Sequence, residues 1–406
     1  MKTYVVIGGG LAGARSVEEL RGLDAEARIV LVGGEASLPY ERPPLSKGYL
    51  LGEKELSEFT PLSADWFKQH NVEPMLGIFA TSLDPAAREV KLANGAGLGY
   101  DGLVLATGAR PRTLKLPGAE RSGVQTLRTL EDSTQLRASF EAGTPLVVDG
   151  GGWIGLEVAA AARHYGVPVT VVVREGRVLA QLGDEIGRRF LALHQSHGVE
   201  FILNTEITSI DGDGEDGAVT GVTLSDGRSV PAGRVLIAVG AEPRVELARH
   251  AGLDVDNGVL TDDSMRTSDP RIVAVGDVAN AFNPWVGRHL RVEHWAFALD
   301  QPKVAARTLL GVESHFTPAP FFYTDQYDLS MEFRGLKPDD ATLVQRGDGD
   351  EYIVFWLNAE SVPRAIMNVN VWDQGEAIEA LLNAATPVDP AKLADPGVPL
   401  DAVRAG

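Results

Sequence analysis

Apolar residues fall in short runs that end at glycine. Residues 4–7 (Tyr-Val-Val-Ile) run into Gly8, Gly9 and Gly10, then Leu11, Ala12 and Gly13; a helix-like stretch follows at 14–20. A second apolar run, 28–32, ends at Gly33-Gly34-Glu35. The order predicts strand, glycine turn, helix and strand, with an acid about twenty residues beyond the last glycine. The pattern repeats downstream. Residues 145–148 run into Asp149 and a second loop with Gly150, Gly152 and Gly155; a helix-like stretch at 156–164 and an apolar run at 167–173 follow.

Both loops have GxGxxG spacing, and each glycine has a separate task. The first permits the tight turn, the second lets backbone approach a pyrophosphate, and the third lets helix and strand pack closely. The helix N-terminus then offers free N–H groups and a positive dipole end to phosphate. Two such units in one chain predict two bound dinucleotides, the arrangement for passing a hydride from a nicotinamide to a flavin.

Other runs join these units. Residues 100–109 read as a buried strand ending in the turn Ala106-Thr107-Gly108, and residues 235–239 read the same way before Gly240. Both return the chain between domains. The run 272–275 delivers Gly276-Asp277 at the C-terminal end of a strand, where open α/β sheets bind ligands. Asp277 suits a ribityl hydroxyl; the alternative is a helix N-cap before residues 278–280. Beyond Pro318-Ala319-Pro320, strand-like runs at 328–333, 341–346, 352–357 and 364–369 with Gly- and Asp-rich turns predict an antiparallel meander, closed by a helix at 374–385.

Composition then narrows the chemistry. The 406 residues include no cysteine, which excludes a disulfide framework, thiolate metal sites and a cysteine nucleophile. Redox chemistry must come from a bound cofactor. The eight histidines show no ligand spacing, so no metal site is expected. The acidic run 211–216 reads as a solvated hairpin turn, without the spacing of a calcium loop. The net charge of −19 argues against nucleic acid and anionic membrane as partners. No run approaches the ~20 apolar residues of a membrane span, and no signal peptide is evident, so a cytoplasmic enzyme is expected.

Several segments carry a resemblance: residues 39–47 (Pro-Tyr-Glu-Arg-Pro-Pro-Leu-Ser-Lys), 127–132 (Leu-Arg-Thr-Leu-Glu-Asp), Gly276-Asp277, residues 293–296 (Glu-His-Trp-Ala) and 325–328 (Asp-Gln-Tyr-Asp). With both glycine loops, they resemble the FAD-dependent pyridine nucleotide–disulfide reductase superfamily. Within it the chain is most similar, over essentially its whole length, to bacterial ferredoxin and rubredoxin reductases of oxygenase systems. Members that need redox cysteines are excluded.

The resemblance implies an α/β protein with two Rossmann-like domains and an α+β C-terminal domain with an antiparallel sheet. FAD would occupy residues 1–113 and 240–318, NAD(P)H residues 114–239, and residues 319–406 would cover the flavin and acceptor side. It assigns to FAD the loop residues Gly8, Gly10, Ala12 and Gly13, then Glu35, Arg42, Lys47, Ala80, Ala106, Thr107, Gly108, Arg128, Gly240, Gly276, Asp277, Glu293 and Trp295. On the nicotinamide side it implies Gly150, Gly152, Trp153, Ile154 and Gly155. Lys47 and Glu157 match a catalytic lysine–glutamate pair at the flavin N5 side. Tyr323 falls where relatives carry Trp near the flavin edge.

Three features depart from the family pattern. Val173 stands where NADH-using relatives place an acid, with Arg174 and Arg177 beyond it. Arginines suit a 2′-phosphate, so NADPH is expected; NADH, with Glu175 standing in for the acid, and poor use of either nucleotide remain alternatives. Asp149 replaces an apolar residue before the phosphate loop, an unfavourable place for a carboxylate unless it is hydrogen-bonded or protonated. Trp153 either obstructs the nicotinamide pocket or swings aside.

The expected activity is electron transfer from NAD(P)H through FAD to a small iron–sulfur protein, a ferredoxin, by a monomer or homodimer. Alternatives are a reductase of a small molecule such as a quinone or radical, and a flavoprotein with impaired nucleotide use. Ferredoxins are usually acidic, so an acidic reductase needs a basic patch; Arg42, Arg288, Arg291 and Lys303 are candidates by position.

Overall fold

The computed structural model describes residues 1–214 and 217–405. Glu215 and Asp216 of the acidic run therefore lie outside the described residues.

The first sheet has five parallel strands in the order Ile272–Ala274, Gly102–Leu105, Thr3–Ile7, Arg28–Gly33 and Val72–Leu76. Its central strands are continuous apolar runs because both faces are covered. Helices Leu11–Leu23 and Trp295–Leu309 pack on one face, joined to it through Tyr4, Val6, Leu31 and Val104. A three-stranded antiparallel sheet, Ala80–Asp84 with Glu89–Leu92 and Gly97–Gly99, lies on the other, sharing a core with Val5, Ile7 and Val30.

The second sheet repeats this plan. Five parallel strands run in the order Val199–Leu203, Val169–Val173, Leu146–Asp149, Arg234–Ile237 and Val124–Gln125. Helix Trp153–His164 covers one face, and the sheet Ile207–Gly212, Val219–Leu224 and Ser229–Pro231 the other. Two short strands, Ala109–Pro111 and Ala241–Pro243, pair antiparallel where the chain passes between the sheets.

The C-terminal sheet is antiparallel throughout but is not a simple meander. Its order is Phe321–Gln326, Leu329–Gly335, Pro363–Val369, Glu351–Leu357 and Thr342–Asp348. The edge strand Phe321–Gln326 escaped the periodicity reading because Phe-Phe-Tyr at its start breaks the alternation of a half-buried strand. Helix Gly375–Ala384 covers one face. The other face, through Met331, Phe333, Trp356 and Met367, joins the core under helix Trp153–His164. The helices of both glycine units begin directly after the second glycine, at Leu11 and Trp153, three residues earlier than their apolar runs suggest.

Asp277 is not an N-cap. It lies in a 3-10 turn, Gly276–Val278, capped by Val275, and residues Ala279–Asn283 form a strand paired with Arg288–Leu290. Pairing on both sides, with Val259–Thr261 and with Arg288–Leu290, makes residues 279–283 a strand against their weak local preference.

Candidate functional site

The two glycine loops face one cavity of about 1190 Å³, larger than the ~300–1,000 Å³ of ordinary small-ligand pockets. Residues from both parallel sheets and from the C-terminal sheet line it.

The loop glycines separate into the three expected tasks. Gly8 has φ +133°, and a Cβ there would lie 1.9 Å from the carbonyl oxygen of Ala106. Gly150 has φ +117°, with the Ala238 carbonyl at 2.4 Å from such a Cβ. At the third positions, a Cβ on Gly13 would meet Gly8 O at 1.9 Å, and one on Gly155 would meet Gly150 O at 2.3 Å. The middle glycines differ. Gly10 (φ −93°) and Gly152 (φ −85°) have ordinary backbone, and a Cβ on either would meet nothing within 4 Å. Nothing in the protein requires glycine there, so the open space is a cradle kept clear for a ligand.

The expected residues divide by position. Gly8, Gly10, Ala12, Glu35, Arg42, Lys47, Ala80, Ala106, Thr107, Gly108, Arg128, Gly240, Gly276, Asp277, Glu293 and Trp295 line the cavity, as do Gly152, Trp153, Ile154 and Glu157. Gly13, Gly150 and Gly155 stand behind it as packing positions. Arg174 and Arg177 are outside its walls.

Lys47 and Glu157, 110 positions apart in sequence, meet at 2.8 Å (Nζ to Oε2) with side chains 13% and 3% exposed. Lys47 leaves the turn after Pro43–Ser46, and Glu157 sits on the buried face of Trp153–His164. Ser46 donates a hydrogen bond to Glu157 Oε2, and Thr324 of the C-terminal sheet donates to Oε1 at 2.6 Å. The Lys47 ammonium also lies 5.4 Å from the centre of the Tyr323 ring. Three parts of the chain therefore share one buried ion pair. Such a pair tolerates burial only with its remaining lone pairs satisfied.

Glu35 is held rather than free. The Arg42 guanidinium is 2.5 Å from its Oε1, and the Tyr40 hydroxyl donates to Oε2. Tyr40 in turn accepts from Arg42 at 2.9 Å and from Leu130 N–H at 3.0 Å, and burial, ahead of its other influences, pushes its pKa well up. Arg128 pairs with Asp277 at 2.8 Å. Gly276 (φ +72°) donates its N–H to the buried Gln301 side chain at 2.8 Å, while Trp295 Nε1 donates to Glu41 at 2.9 Å. Gly34, beside Glu35, lies under the Phe79 ring; a Cβ there would approach the ring to 2.4 Å.

Two wall residues invite a ligand. Arg244 lines the cavity; burial first, then the nearby Arg110, Arg128 and Arg42 charges, lower its pKa. Relief would come from an anion. His294 is half-buried with its Nδ1 buried and unpaired, and burial brings its pKa down to about 4, so it stands neutral. The open cradle at Gly10, the arginine in the cavity wall and this unpaired ring nitrogen fit a flavin dinucleotide in the first unit.

Trp153 is held at the junction by Phe190 and Phe322, with ring centres 5.5 and 5.2 Å away. Arg174 pairs at 3.0 Å with Glu175 and is 74% exposed, while Arg177 pairs with Asp184. The Asp149 carboxyl is pushed up to about 6, by burial and then by Glu206. Of the basic-patch candidates, Arg42 is tied to Glu35, and Arg291 to Glu293 at 2.8 Å with 10% exposure. Only Arg288 and Lys303 are exposed.

Sequence reasoning assigned no role to Tyr40, Ser46, Arg244, Gln301 or Thr324. Tyr40 and Ser46 lie inside the recognised segment 39–47, and Thr324 directly precedes Asp325, so a signal existed for those three. Gln301 and Arg244 carried none.

Comparison with known proteins agrees with this geometry. A profile described as pyridine nucleotide-disulphide oxidoreductase matches residues 2–301, and one described as reductase C-terminal matches residues 321–404. The ferredoxin--NAD(+) reductase component of the anthranilate 1,2-dioxygenase system of Burkholderia cepacia is 39% identical, over 98% of this chain and 98% of that protein. Rhodocoxin reductase of Rhodococcus erythropolis is 36% identical, over 97% of this chain and 92% of its own length. A chain of the covalent putidaredoxin reductase–putidaredoxin complex superposes with a TM-score of 0.95 at 34% identity, covering 99% of this chain and 98% of that one. The chain belongs to the pyridine nucleotide-disulphide oxidoreductase family and carries that family's reductase-type C-terminal domain.

Proposed function

We propose that the protein is an FAD-dependent NAD(P)H:ferredoxin reductase that serves an oxygenase system from the cytoplasm. The Lys47–Glu157 pair carries this reading: it stands in the wall of one cavity entered by both glycine loops, in a chain without cysteine. The relatives support it: one is a ferredoxin--NAD(+) reductase component of a dioxygenase system, and another is a reductase linked covalently to putidaredoxin. Residues 1–113 and 240–318 would form the flavin unit, 114–239 the nicotinamide unit and 319–406 the cover.

Gly8, Gly10, Ala12 and the start of helix Leu11–Leu23 would hold the pyrophosphate, with Gly13 letting the helix pack on the loop and Arg244 compensating the charge. Ala80 would lie at the adenosine end with Glu35, whose carboxylate is fixed by Arg42 and Tyr40. The Arg128–Asp277 pair and Trp295, with Glu293 and the Ala106-Thr107-Gly108 turn, would line the flavin. Gly152 and Ile154 would receive the nicotinamide nucleotide. Bound FAD supplies two-electron uptake from the nicotinamide and single-electron delivery to the acceptor. Lys47 and Glu157 would orient the nicotinamide and balance charge at the flavin N5 side.

For the nucleotide we favour NADH. Both arginines that would hold a 2′-phosphate are already paired with carboxylates, and Glu175, Glu206 and Asp149 make that end of the second unit acidic. Glu175 then serves as the ribose acceptor. A ferredoxin would approach Arg288 and Lys303.

The test is to mix flavin-loaded protein anaerobically with NADH or NADPH and follow flavin bleaching, then add ferredoxin and follow its reduction. Saturating bleaching by NADH and ferredoxin reduction are expected. Bleaching by NADPH alone would overturn the nucleotide choice. Bleaching by neither would overturn the reductase reading, and fast turnover with a quinone without gain from ferredoxin would favour a small-molecule acceptor.

A further inference from the structure

A line of buried polar side chains leads away from Glu157, against the apolar packing around it. Thr324 Oγ1 donates to Glu157 Oε1 at 2.6 Å, and the Gln326 amide nitrogen is 3.0 Å from Thr324 Oγ1. Gln326 Oε1 is 2.8 Å from His194 Nε2, and the Tyr327 hydroxyl is 3.0 Å from His194 Nδ1. Thr324, Gln326 and His194 are each no more than 1% exposed. The line joins helix Asp184–Ser196 of the second unit to the C-terminal hairpin and ends at His197, which stacks on Tyr327 at 3.7 Å.

Glu157, facing Lys47, accepts only, which fixes every other direction. Thr324 must donate to Glu157, so Gln326 donates to Thr324 and presents its oxygen to His194. His194 must carry its proton on Nε2 and accept from Tyr327 on Nδ1. All four donors point towards Glu157. An amide donates through nitrogen and accepts through oxygen, so Gln326 passes orientation and no proton. Tyr327 reaches its place from φ +56°, an uncommon conformation for a bulky residue. Burial, the dominant influence, lowers the His194 pKa to about 4, in keeping with a neutral ring.

We propose that His194, acting through Gln326 and Thr324, is a positioning residue that holds the Glu157 carboxylate on Lys47. Aligned dipoles in a chain of this kind reinforce one another. The proposal rests on the flavin reading above. Without the chain Glu157 drifts from Lys47, and the ammonium is left less balanced beside the flavin. An unbalanced positive charge favours the more negative reduced flavin, so its reduction potential rises.

The test measures the two-electron potential of the flavin-loaded protein. His194→Phe and Thr324→Val are each expected to shift the reduction equilibrium about tenfold, or about 30 mV upwards. His194→Gln, which can keep a donor at the Nε2 position, is expected to restore the original value. An unchanged potential in Thr324→Val overturns the proposal, even if His194→Phe fails to fold. A second measurement needs no flavin: ¹⁵N spectra of labelled histidine in the full chain should show His194 neutral with its proton on Nε2 at pH 6. A proton on Nδ1 would overturn the chain's direction. Failure of the parent protein to take up flavin would instead overturn the reading on which the proposal rests.

Discussion

The two glycine-loop units share a strand order and a loop, yet they treat their acidic residue in opposite ways. Glu35 follows the second strand of the first unit and is 29% exposed, gripped by Arg42 and by Tyr40, which is itself anchored on Leu130. Glu175 follows the equivalent strand of the second unit 49% exposed, with one partner, Arg174, that is 74% exposed. One site is built before its ligand arrives; the other is assembled on the surface. The difference suits a resident cofactor in the first unit and an exchanging one in the second, because ordering in advance lowers the cost of binding.

The sharpest way to break this contrast is at the middle glycines. Gly10→Val and Gly152→Val both put a side chain into open space with compatible backbone, so both variants should fold. Gly10→Val is expected to purify without flavin, measured by the visible flavin absorption per chain. Gly152→Val should retain flavin while KM for NADH rises at least tenfold. Equal flavin content in the two variants would remove the division of labour.

Next in size is the rigidity of the first site. Tyr40→Phe strips one buried hydroxyl from Glu35, Arg42 and Leu130, and unsatisfied buried groups cost ~1–3 kcal/mol. A fall in Tm of several degrees is expected by calorimetry. Arg174→Ala breaks an exposed pair and should leave Tm essentially unmoved. If both variants melt alike, the first unit is no more prebuilt than the second.

What the two units share is legible in the sequence, and the reason is physical. A tight turn, a close backbone approach and helix–strand packing each require glycine at a fixed offset, so Gly8, Gly10 and Gly13 and their repeat identify themselves locally. The contacts that distinguish the units are not local. Glu157 meets Ser46 and Thr324 across 111 and 167 positions, and no spacing rule links them. Lys47 with Glu157 was recoverable only through family resemblance. Arg42 and Arg291 stood as candidates for a basic patch because a sequence does not show which carboxylate has already claimed an arginine. Nor does a sequence show that Arg174 and Arg177, read as phosphate ligands, each lie against a carboxylate.

The nucleotide choice sharpens the comparison from the second unit's side. Glu175→Ala is expected to raise KM for NADH about tenfold and to change KM for NADPH little, since the carboxylate serves a free ribose hydroxyl. The expected ratio corresponds to ~1.4 kcal/mol, the scale of one charge-assisted hydrogen bond. Steady-state kinetics with both nucleotides decide it. A larger loss with NADPH than with NADH would return Arg174 to the role its position in the sequence suggested.

The smallest expected effect lies in Asp149, the acid that ends the strand before the second loop and has no counterpart in the first. Burial, followed by Glu206, raises its pKa from 3.8 to about 6, against an attraction from Arg174. With the folded value above the unfolded one, the native state binds the extra proton between about pH 4 and 6, and stability falls as pH rises through that window. Below about pH 4 the carboxyl is neutral folded or unfolded, and no penalty remains. Asp149→Asn removes the ionisation, so it should match the parent Tm near pH 4 and exceed it at pH 8. The gain is roughly 1 kcal/mol after allowance for screening and for Arg174, equivalent to about one degree in a chain of this length. A Tm difference independent of pH would mean that Asp149 is paired in solution, and the second loop would then carry no more strain than the first.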